Sequence, residues 1–426
     1  MSEFYAAFCA EQMIEINPHV LQALEKATAT NSVTIKLPGN HHLRDAQRLH
    51  DKDVLALSKC LRDNKRVTAL DVGYNNITDE GVGHLVDLLQ FIFPCSPEQE
   101  DGSSLRSLDL TFNDIRSDGA EVLAKSLQRN STLLSLRLSN NKIENRGAMH
   151  LARMLQVNST LRELELAACD LDTQSVIAFA IVLTRNQTLR SVDISRPLLF
   201  GLQEEWAVHV AEMLAVNGSL VELHLGKMGM TDTGMERLTR GLRLNGSLRY
   251  LDLRGNRVTR DGVRHLADLL KQNPTLEVVD LTSNRIEDKG AAYLSEAVAW
   301  PSCALRELSV RSNNIRTEGL LSLARALTAN TTLDHLYVWG NHLEEPVCQA
   351  FRELIDGGRL RPEQTDVSAY EVDGQVFLAE APGGLRRRYD STAAPPTESR
   401  TLVSLQSCCA SEPRRHLCTN VSNILK

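Results

Sequence analysis

Apolar residues recur along the chain in a fixed frame. The pattern L-x-x-L-x-L-x-x-N-x-I/L fits Leu133-Leu136-Leu138-Asn141-Ile143, and it fits again from Leu248 and from Leu276. The frame begins at Val67, Leu105, Leu133, Leu161, Leu189, Leu220, Leu248, Leu276, Leu305 and Leu333, with a weaker copy around Ile35, Leu37 and Asn40. Neighbouring copies are most often 28 residues apart. This spacing predicts about 11 repeats of one structural unit.

Each unit changes its hydrophobic period once. The L-x-L stretch alternates in twos and predicts a short strand, whereas a stretch such as residues 261–270 repeats every three or four residues and predicts a helix. One strand and one helix per unit predict a parallel sheet with right-handed crossovers. Strands lie about 4.8 Å apart and helices about 8–10 Å apart, so the stack must curve. The predicted fold is therefore an α/β solenoid, a horseshoe with an inner parallel sheet and outer helices.

Asparagine follows most of the predicted strands. Its amide can satisfy backbone groups that a buried turn leaves unpaired. Cys169, Pro197 and Met228 take this place in three units. Asn-x-Ser/Thr triplets occur at a second constant phase, where each helix ends, and we interpret them as part of the repeat and not as glycosylation sites: Asn130, Asn158, Asn186, Asn217, Asn245 and Asn330.

A 28-residue unit with a full helix, and with asparagine or cysteine at the turn, resembles the ribonuclease-inhibitor class of leucine-rich repeats. The resemblance covers about residues 32–354 and implies the horseshoe fold. Within that class, the segments Leu336–Asn341, Thr365–Val367 and Val372–Glu380 are similar to a narrower group of repeat proteins. Similarity to this group implies a nuclear, nucleolar and cytoplasmic location in stem and germ cells.

The chain divides into four predicted parts. Residues 1–31 are predicted to form an N-terminal helical cap, and residues 32–355 contain the repeats. Residues 356–382 are predicted to form a C-terminal cap with a β-hairpin, because Asp373-Gly374 is a favoured hairpin turn. The polar residues 383–426 lack periodicity, which predicts a disordered tail.

Composition and charge favour a soluble protein. The chain has 426 residues, a net charge of -7 and 42% hydrophobic residues, and neither a signal peptide nor a membrane-spanning stretch is expected. The nine cysteines form no Cys-x-x-Cys pair, so we expect reduced thiols. No direct contact with nucleic acid or a membrane is expected.

Motifs that carry chemistry do not occur. The sequence contains no phosphate-binding loop, H-E-x-x-H zinc helix or G-x-S-x-G nucleophile elbow. The pair His41-His42 lies in the turn of the weakest unit and is interpreted as surface. We therefore expect no catalytic residue, no cofactor, no metal site and no small-molecule substrate.

The side chains between the leucines are predicted to point to the face of the sheet opposite to the leucines. One column there includes Arg190, Arg249 and Arg306, and a neighbouring column includes Asp252 and Asp280. The two columns can neutralise each other through lateral ion pairs. Alternatively, they form a charged track that binds a partner and fixes its register.

Three further features are candidate partner-binding sites. Tyr337 and Trp339 lie on one strand near the C-terminal end, where they are either exposed anchors or covered by the C-terminal cap. Leu198 and Phe200 lie in an irregular unit, as an apolar lip or as tolerated loop variation. An arginine cluster in two successive units is either an acceptor for an acidic partner or a solvated surface: Arg237, Arg240, Arg243, Arg249, Arg254, Arg257, Arg260 and Arg264.

The expected function is a non-enzymatic scaffold that binds protein on its concave face. The narrower resemblance implies acidic nucleolar chaperones as partners. A structural component of the ciliary axoneme, bound to axonemal proteins, is one alternative. A GTPase-activating protein resembling the Ran activator is another, although the acidic tail of those activators is absent here.

Overall fold

The computed structural model describes residues 1–30, 33–40, 47–89, 104–199 and 204–385. Within these ranges the helices are α1 Ser2–Glu11, α2 Pro18–Thr30, α3 Asp51–Leu61, α4 Asp79–Val86, α5 Ser117–Leu127, α6 Glu144–Leu155, α7 Thr173–Leu183, α8 Glu205–Val216, α9 Asp232–Leu242, α10 Arg260–Leu270, α11 Glu287–Val298, α12 Thr317–Ala329 and α13 Glu345–Asp356. A short 3₁₀ helix spans Pro362–Gln364.

The strands are short and regularly spaced. They are β1 Thr34–Lys36, β2 Ala69–Asp71, β3 Ser107–Asp109, β4 Ser135–Arg137, β5 Glu163–Glu165, β6 Ser191–Asp193, β7 Glu222–His224, β8 Tyr250–Asp252, β9 Val278–Asp280, β10 Glu307–Ser309 and β11 His335–Tyr337, followed by β12 Val367–Val372 and β13 Gln375–Glu380.

The first eleven strands form one parallel sheet in the order of the sequence. Each pairs with its successor in register, so that Leu136 on β4 lies opposite Leu164 on β5. A helix from each unit returns the chain to the next strand, which places the helices on the outer side. The predicted α/β solenoid of about eleven repeats is confirmed.

The core lies between the sheet and the helices. The leucines and valines of the repeat frame are nearly all buried, as are the apolar positions of each helix. In α10, for example, Val263, Leu266, Leu269 and Leu270 are buried, because apolar residues recur at helical spacing on the side that faces the sheet.

A ladder of asparagines satisfies the turns after the strands. Asn256 donates from Nδ2 to the carbonyls of Leu225 (2.9 Å) and Leu253 (2.8 Å). Its Oδ1 accepts from the backbone N–H groups of Met228 and Met230, both at 3.0 Å. The predicted role of the amide in satisfying the backbone of its turn is observed, and each such residue also joins its own repeat to the preceding one. Cys169 retains part of this role, since its Sγ lies 3.1 Å from the carbonyl oxygen of Leu138.

The triplet asparagines at the ends of the helices form a second ladder. Asn158 donates to the carbonyl of Leu127 (2.7 Å) and accepts from the N–H groups of Thr160 and Leu161. Asn186, Asn217 and Asn245 repeat this arrangement. Their side chains are buried and bonded within the chain, which confirms their interpretation as part of the repeat.

The C-terminal segment covers the last strand of the sheet. Strands β12 and β13 form an antiparallel hairpin whose turn is Asp373-Gly374. Just before the hairpin, the carboxylate of Asp366 accepts from the N–H groups of Val338 (2.8 Å) and Trp339 (3.1 Å). Together with the bridge between Leu336 and Thr365, these bonds cover part of an edge that would otherwise be open for pairing with another chain.

Candidate functional site

The inner face of the sheet is formed by the residues that flank the buried middle residue of each strand. The term inner face denotes the first and third residue of each of the strands β1 to β11, together with the residue two positions after the strand. Acidic side chains outnumber arginines there: the acids are Asp71, Asp109, Glu163, Glu165, Asp193, Glu222, Asp252, Asp280 and Glu307, and the arginines are Arg137, Arg254 and Arg311.

Arg254 is held in place by a buried carboxylate. Its Nε and Nη2 lie 2.7 Å and 2.5 Å from Oδ2 of Asp252, and its Nε lies 3.8 Å from Asp280. The side chain of Asp252 is 0% exposed, whereas that of Arg254 is 48% exposed. The carboxylate therefore lies beneath the guanidinium group, which remains accessible.

The charge of Asp252 is stabilised by its partners. Burial opposes ionisation, but hydrogen bonds from His224 and Arg254 and the charge of Arg254 outweigh it and lower the pKa of Asp252 to about 2. The Nδ1 atom of His224 lies 3.3 Å from the same oxygen. For neighbouring Asp280, burial and the charge of Asp252 raise the pKa. Asp252 is thus the principal anion for Arg254.

Arg137 is anchored in the same way on β4. Its guanidinium group lies 3.0 Å from Glu163, 3.2 Å from Glu165 and 3.8 Å from Asp109. Burial disfavours its charge, yet these three carboxylates raise the pKa of Arg137 overall. Carboxylates on adjacent strands thus fix an arginine that is still 39% exposed.

The arginines that precede the strands make lateral contacts to the next repeat. Arg190 Nη1 donates to the carbonyl of Ser219 at 3.0 Å, and Arg249 Nη1 lies 2.8 Å from Oε1 of Glu277. Arg249 and Arg306 are exposed. These contacts reach a backbone carbonyl and a glutamate of the same column, and they do not join the arginine column to the acidic column as considered from the sequence. They leave guanidinium groups accessible along one rim.

Three of the predicted contact residues are too deeply buried to contact a partner directly. Asp252 and Asp280 were considered either as members of lateral ion pairs or as part of a charged track, and both are buried beneath Arg254. Tyr337 was considered as an exposed anchor, and it is only 3% exposed. Trp339 is half-buried and packs against the core. The C-terminal segment docks on this strand, which favours the alternative that the cap covers both rings.

The arginine cluster of the sequence is divided between two surfaces. Arg249 and Arg254 lie on the sheet side, whereas Arg237 and Arg240 belong to α9 on the helix side. Arg240 pairs with Glu236 on the same helix at 2.7 Å. Residues that are close in the sequence alternate between the two layers of the solenoid, so they form no single basic patch.

The irregular loop after β6 has an exposed apolar residue in its described part. Leu198 is exposed, and its N–H donates to the carbonyl of Leu171 at 2.6 Å. Leu199 packs against the core. Phe200 lies outside the described residues, as do His41 and His42. The apolar lip therefore stays a prediction.

An exposed aromatic pair lies near the N-terminal end of the sheet, where the repeat frame gave no reason to expect it. Tyr74 and Phe112 occupy the position just before the turn asparagine in consecutive repeats. Their rings stack with centroids 4.6 Å apart and an interplanar angle of 16°. The signal in the sequence was present, since other repeats carry a small or polar residue at this position, such as Asn140, Gly255 and Ser283.

Two other kinds of feature are absent from the described part of the chain. Among those residues, no group of three or more His, Cys, Asp or Glu side chains is arranged to hold a metal ion. No helix there is long and apolar enough to cross a membrane. The cysteines in the same ranges are free thiols: Cys9, Cys60, Cys169, Cys303 and Cys348.

Comparison with known proteins identifies close relatives. A family model described as "Leucine Rich repeat" matches residues 63–85, 103–124, 129–152, 157–180, 245–267, 272–295 and 302–324. The human protein "Leucine-rich repeat-containing protein 34" is 46% identical over 395 residues, which cover 91% of this chain and 83% of the relative. The mouse protein of the same name is 44% identical over 391 residues, which cover 90% and 92%.

Similarity to solved structures is much weaker. An internalin from Listeria monocytogenes aligns with 15% identity and a TM-score of 0.44, over 83% of this chain and 95% of the internalin.

Proposed function

Because the chain belongs to the family of leucine-rich repeat-containing protein 34, we propose that it is a scaffold that binds another protein through the inner face of its sheet and the adjoining rim that carries Arg249. Repeat proteins of this kind present extended concave surfaces to their partners. The observation that carries the proposal is a row of accessible guanidinium groups, of Arg137, Arg249 and Arg254, each held by carboxylates of the same or the next repeat.

Preorganised arginines suit this role for two reasons. A flexible arginine loses conformational entropy when a partner orders it, and an arginine already fixed by carboxylates loses less. Arginine is also enriched among the residues that dominate binding energy at interfaces, because its planar group donates several hydrogen bonds in a fixed geometry. Arg254 uses Nε and Nη2 on Asp252, so its remaining donors can bind carboxylate or carbonyl oxygens of a partner.

The partner that these donors favour is a protein with exposed acidic or carbonyl groups, and an acidic chaperone is one such protein. Proximity labelling in cells would identify candidates, and each would be tested with purified proteins. Arg249→Glu should weaken binding by about tenfold, since it reverses one charge at the interface. Arg240→Glu on α9 is the matched control, because that arginine is also exposed but lies on the helix side. Equal binding of wild type and Arg249→Glu would contradict the proposed face.

We further propose a nuclear, nucleolar and cytoplasmic location, which is what the resemblance of the C-terminal segments implies. Imaging of a fluorescently tagged chain in germ cells would test it. Retention along axonemes after salt extraction would instead favour the axonemal alternative.

A further inference from the structure

Arg254 and Arg311 occupy the same position in two repeats. Each lies on the inner face, two residues after its strand and two residues before the asparagine of its turn. Several other repeats carry a small residue at this position, such as Gly73, Ser139 and Ala167. The surroundings of the two guanidinium groups can therefore be compared directly.

Both guanidinium groups are fixed from beneath by a buried aspartate. Nε of Arg254 donates to Oδ2 of Asp252 at 2.7 Å, and Nε of Arg311 lies 3.3 Å from Oδ2 of Asp366. The side chains of both aspartates are 0% exposed. The same edge of each guanidinium group is thus held by the protein, and Nη1 is left in both cases for another acceptor.

At Arg311 the other acceptors come from the C-terminal segment of the chain itself. Nη2 of Arg311 lies 2.6 Å from Oε1 of Glu380, and Nη1 donates to the carbonyl oxygen of Gly383 at 3.2 Å. Residues 380–383, which make these contacts, are termed the strap. The strap shows which groups an anchored arginine of this face binds: a carboxylate and, three residues later, a backbone carbonyl.

Arg254 has no such cover in the part of the chain that the structure describes. Its Nε and Nη2 bond to Asp252, and no described residue accepts a hydrogen bond from its Nη1. The side chain of Arg254 is 48% exposed, compared with 25% for that of Arg311, which the strap contacts. Arg254 is therefore an open copy of the site that the strap fills at Arg311.

A second cation lies beside Arg254. The N–H of Lys227 donates to the carbonyl of Arg254 at 2.7 Å, so the two residues are neighbours in adjacent repeats. The stem of Lys227 crosses Gly255, where an added Cβ atom would lie 2.7 Å from its Cγ. Lys227 is exposed and forms no ion pair with a described residue, whereas the acids of this site, Asp252 and Asp280, are buried beneath Arg254. An incoming carboxylate therefore meets two accessible cations.

We propose that Arg254 and Lys227 bind an acidic side chain of a partner protein, and that a backbone carbonyl three residues later in the partner bonds to Arg254 as Gly383 bonds to Arg311. The proposal rests on the scaffold function and specifies the chemistry that the inner face recognises. One planar guanidinium group can hold both acceptors, because its N–H groups point in fixed and different directions. The sugar–phosphate backbone of a nucleic acid carries no carbonyl group, so the strap favours a polypeptide.

NMR on the full chain tests this site with a peptide copied from the strap. The probe is an acetylated and amidated peptide with the sequence of residues 379–384, and its matched control has glutamine in place of the glutamate. The Nε–H signal of Arg254, assigned through the variant Arg254→Lys, should shift when the peptide is added at millimolar concentration. The glutamine peptide should bind about tenfold more weakly, since a hydrogen bond to a charged group is lost.

Other arginines of the chain serve as controls in the same spectra. Arg311 should not respond, because the strap already occupies it, and Arg240 should not respond, because it lies on the helix side. In the variant Glu380→Ala the strap loses its carboxylate, so Arg311 should then respond to the peptide while Arg254 responds as before. Lys227→Gln should weaken the peptide about threefold at Arg254, as expected for an exposed charge. Circular dichroism would confirm that each variant is folded.

An Arg254 signal that stays unchanged in the presence of the peptide would overturn the proposal. Equal binding of the glutamate and glutamine peptides would do so too, as would a response of Arg254 to oligouridine that exceeds its response to the peptide. If the peptide leaves Arg254 unchanged while Arg249→Glu still weakens capture of a partner, this site is removed and the scaffold function remains.

Discussion

Replacing Arg254 by alanine would test whether the inner-face arginines are anchored by buried carboxylates. Asp252 is 0% exposed and depends on Arg254 and His224 for compensation of its charge. Its pKa falls from 3.8 to about 2, and about 1.4 kcal/mol corresponds to each pKa unit, so the net stabilisation of the carboxylate is about 2 kcal/mol. Removal of the arginine also leaves part of the burial penalty uncompensated, so we expect a loss of about 2–4 kcal/mol.

Urea unfolding followed by circular dichroism would measure this loss. A second variant, Arg254→Ala/Asp252→Asn, removes the buried charge together with its partner and should recover a large part of the stability. Arg240→Ala on α9 is the matched control, and it should change stability by less than about 0.5 kcal/mol because its ion pair is exposed. A single variant as stable as wild type, or a double variant no more stable than the single one, would refute the reasoning.

The same ion pair predicts a pH dependence. A carboxylate whose pKa is lowered on folding stabilises the protein above its unfolded pKa, and the contribution disappears as pH falls through the folded pKa. For Asp252 this window lies between about pH 4 and pH 2. Wild type should therefore lose more stability than Arg254→Ala across this window, and parallel pH profiles for the two proteins would contradict the assignment.

Four more changes have defined outcomes. Asn256→Ala removes the four hydrogen bonds of the Asn256 side chain and leaves buried backbone groups without partners. The free energy of unfolding, measured with heat or urea, should fall by about 3 kcal/mol or more. Gly262→Ala places a Cβ 2.5 Å from Oδ1 of Asp232 and should cost about 1–3 kcal/mol, whereas Gly246→Ala, with no atom within 4 Å, should be neutral. Asp366→Ala should release the hairpin, seen as faster proteolysis within residues 367–380. Burial raises the pKa of Cys169 to about 12, so iodoacetamide should modify this thiol only after unfolding, and labelling of the folded chain would contradict its burial.

Part of the candidate site could be predicted from the sequence. The repeat frame placed Arg190, Arg249 and Arg306 in one column at the sheet, and the structure has Arg190 and Arg249 there with lateral contacts to the next repeat. The depth of each side chain was not predictable in the same way. Asp252 and Arg254 are only two residues apart in the same repeat. The side chain of Asp252 is nevertheless buried, whereas that of Arg254 is half exposed.

The sequence by itself determined the repeat, the parallel sheet, the outer helices and both asparagine ladders. Each of these follows from contacts that recur at a constant spacing, so every copy of the pattern reports the same environment. The leucine frame must be buried for any unit to fold, and the asparagines must bond to backbone groups that each turn creates.

Only the tertiary structure decided which inner-face groups are accessible. Tyr337 is buried on the last strand, where a segment 29 residues later, around Asp366, bonds to the backbone of Val338. Tyr74 and Phe112 came together because consecutive repeats place them one strand apart. The contact of the cap occurs once and joins residues outside the repeat frame, so no periodic pattern records it. The two rings share one phase of the frame, and what the frame leaves open is the stacking of their side chains.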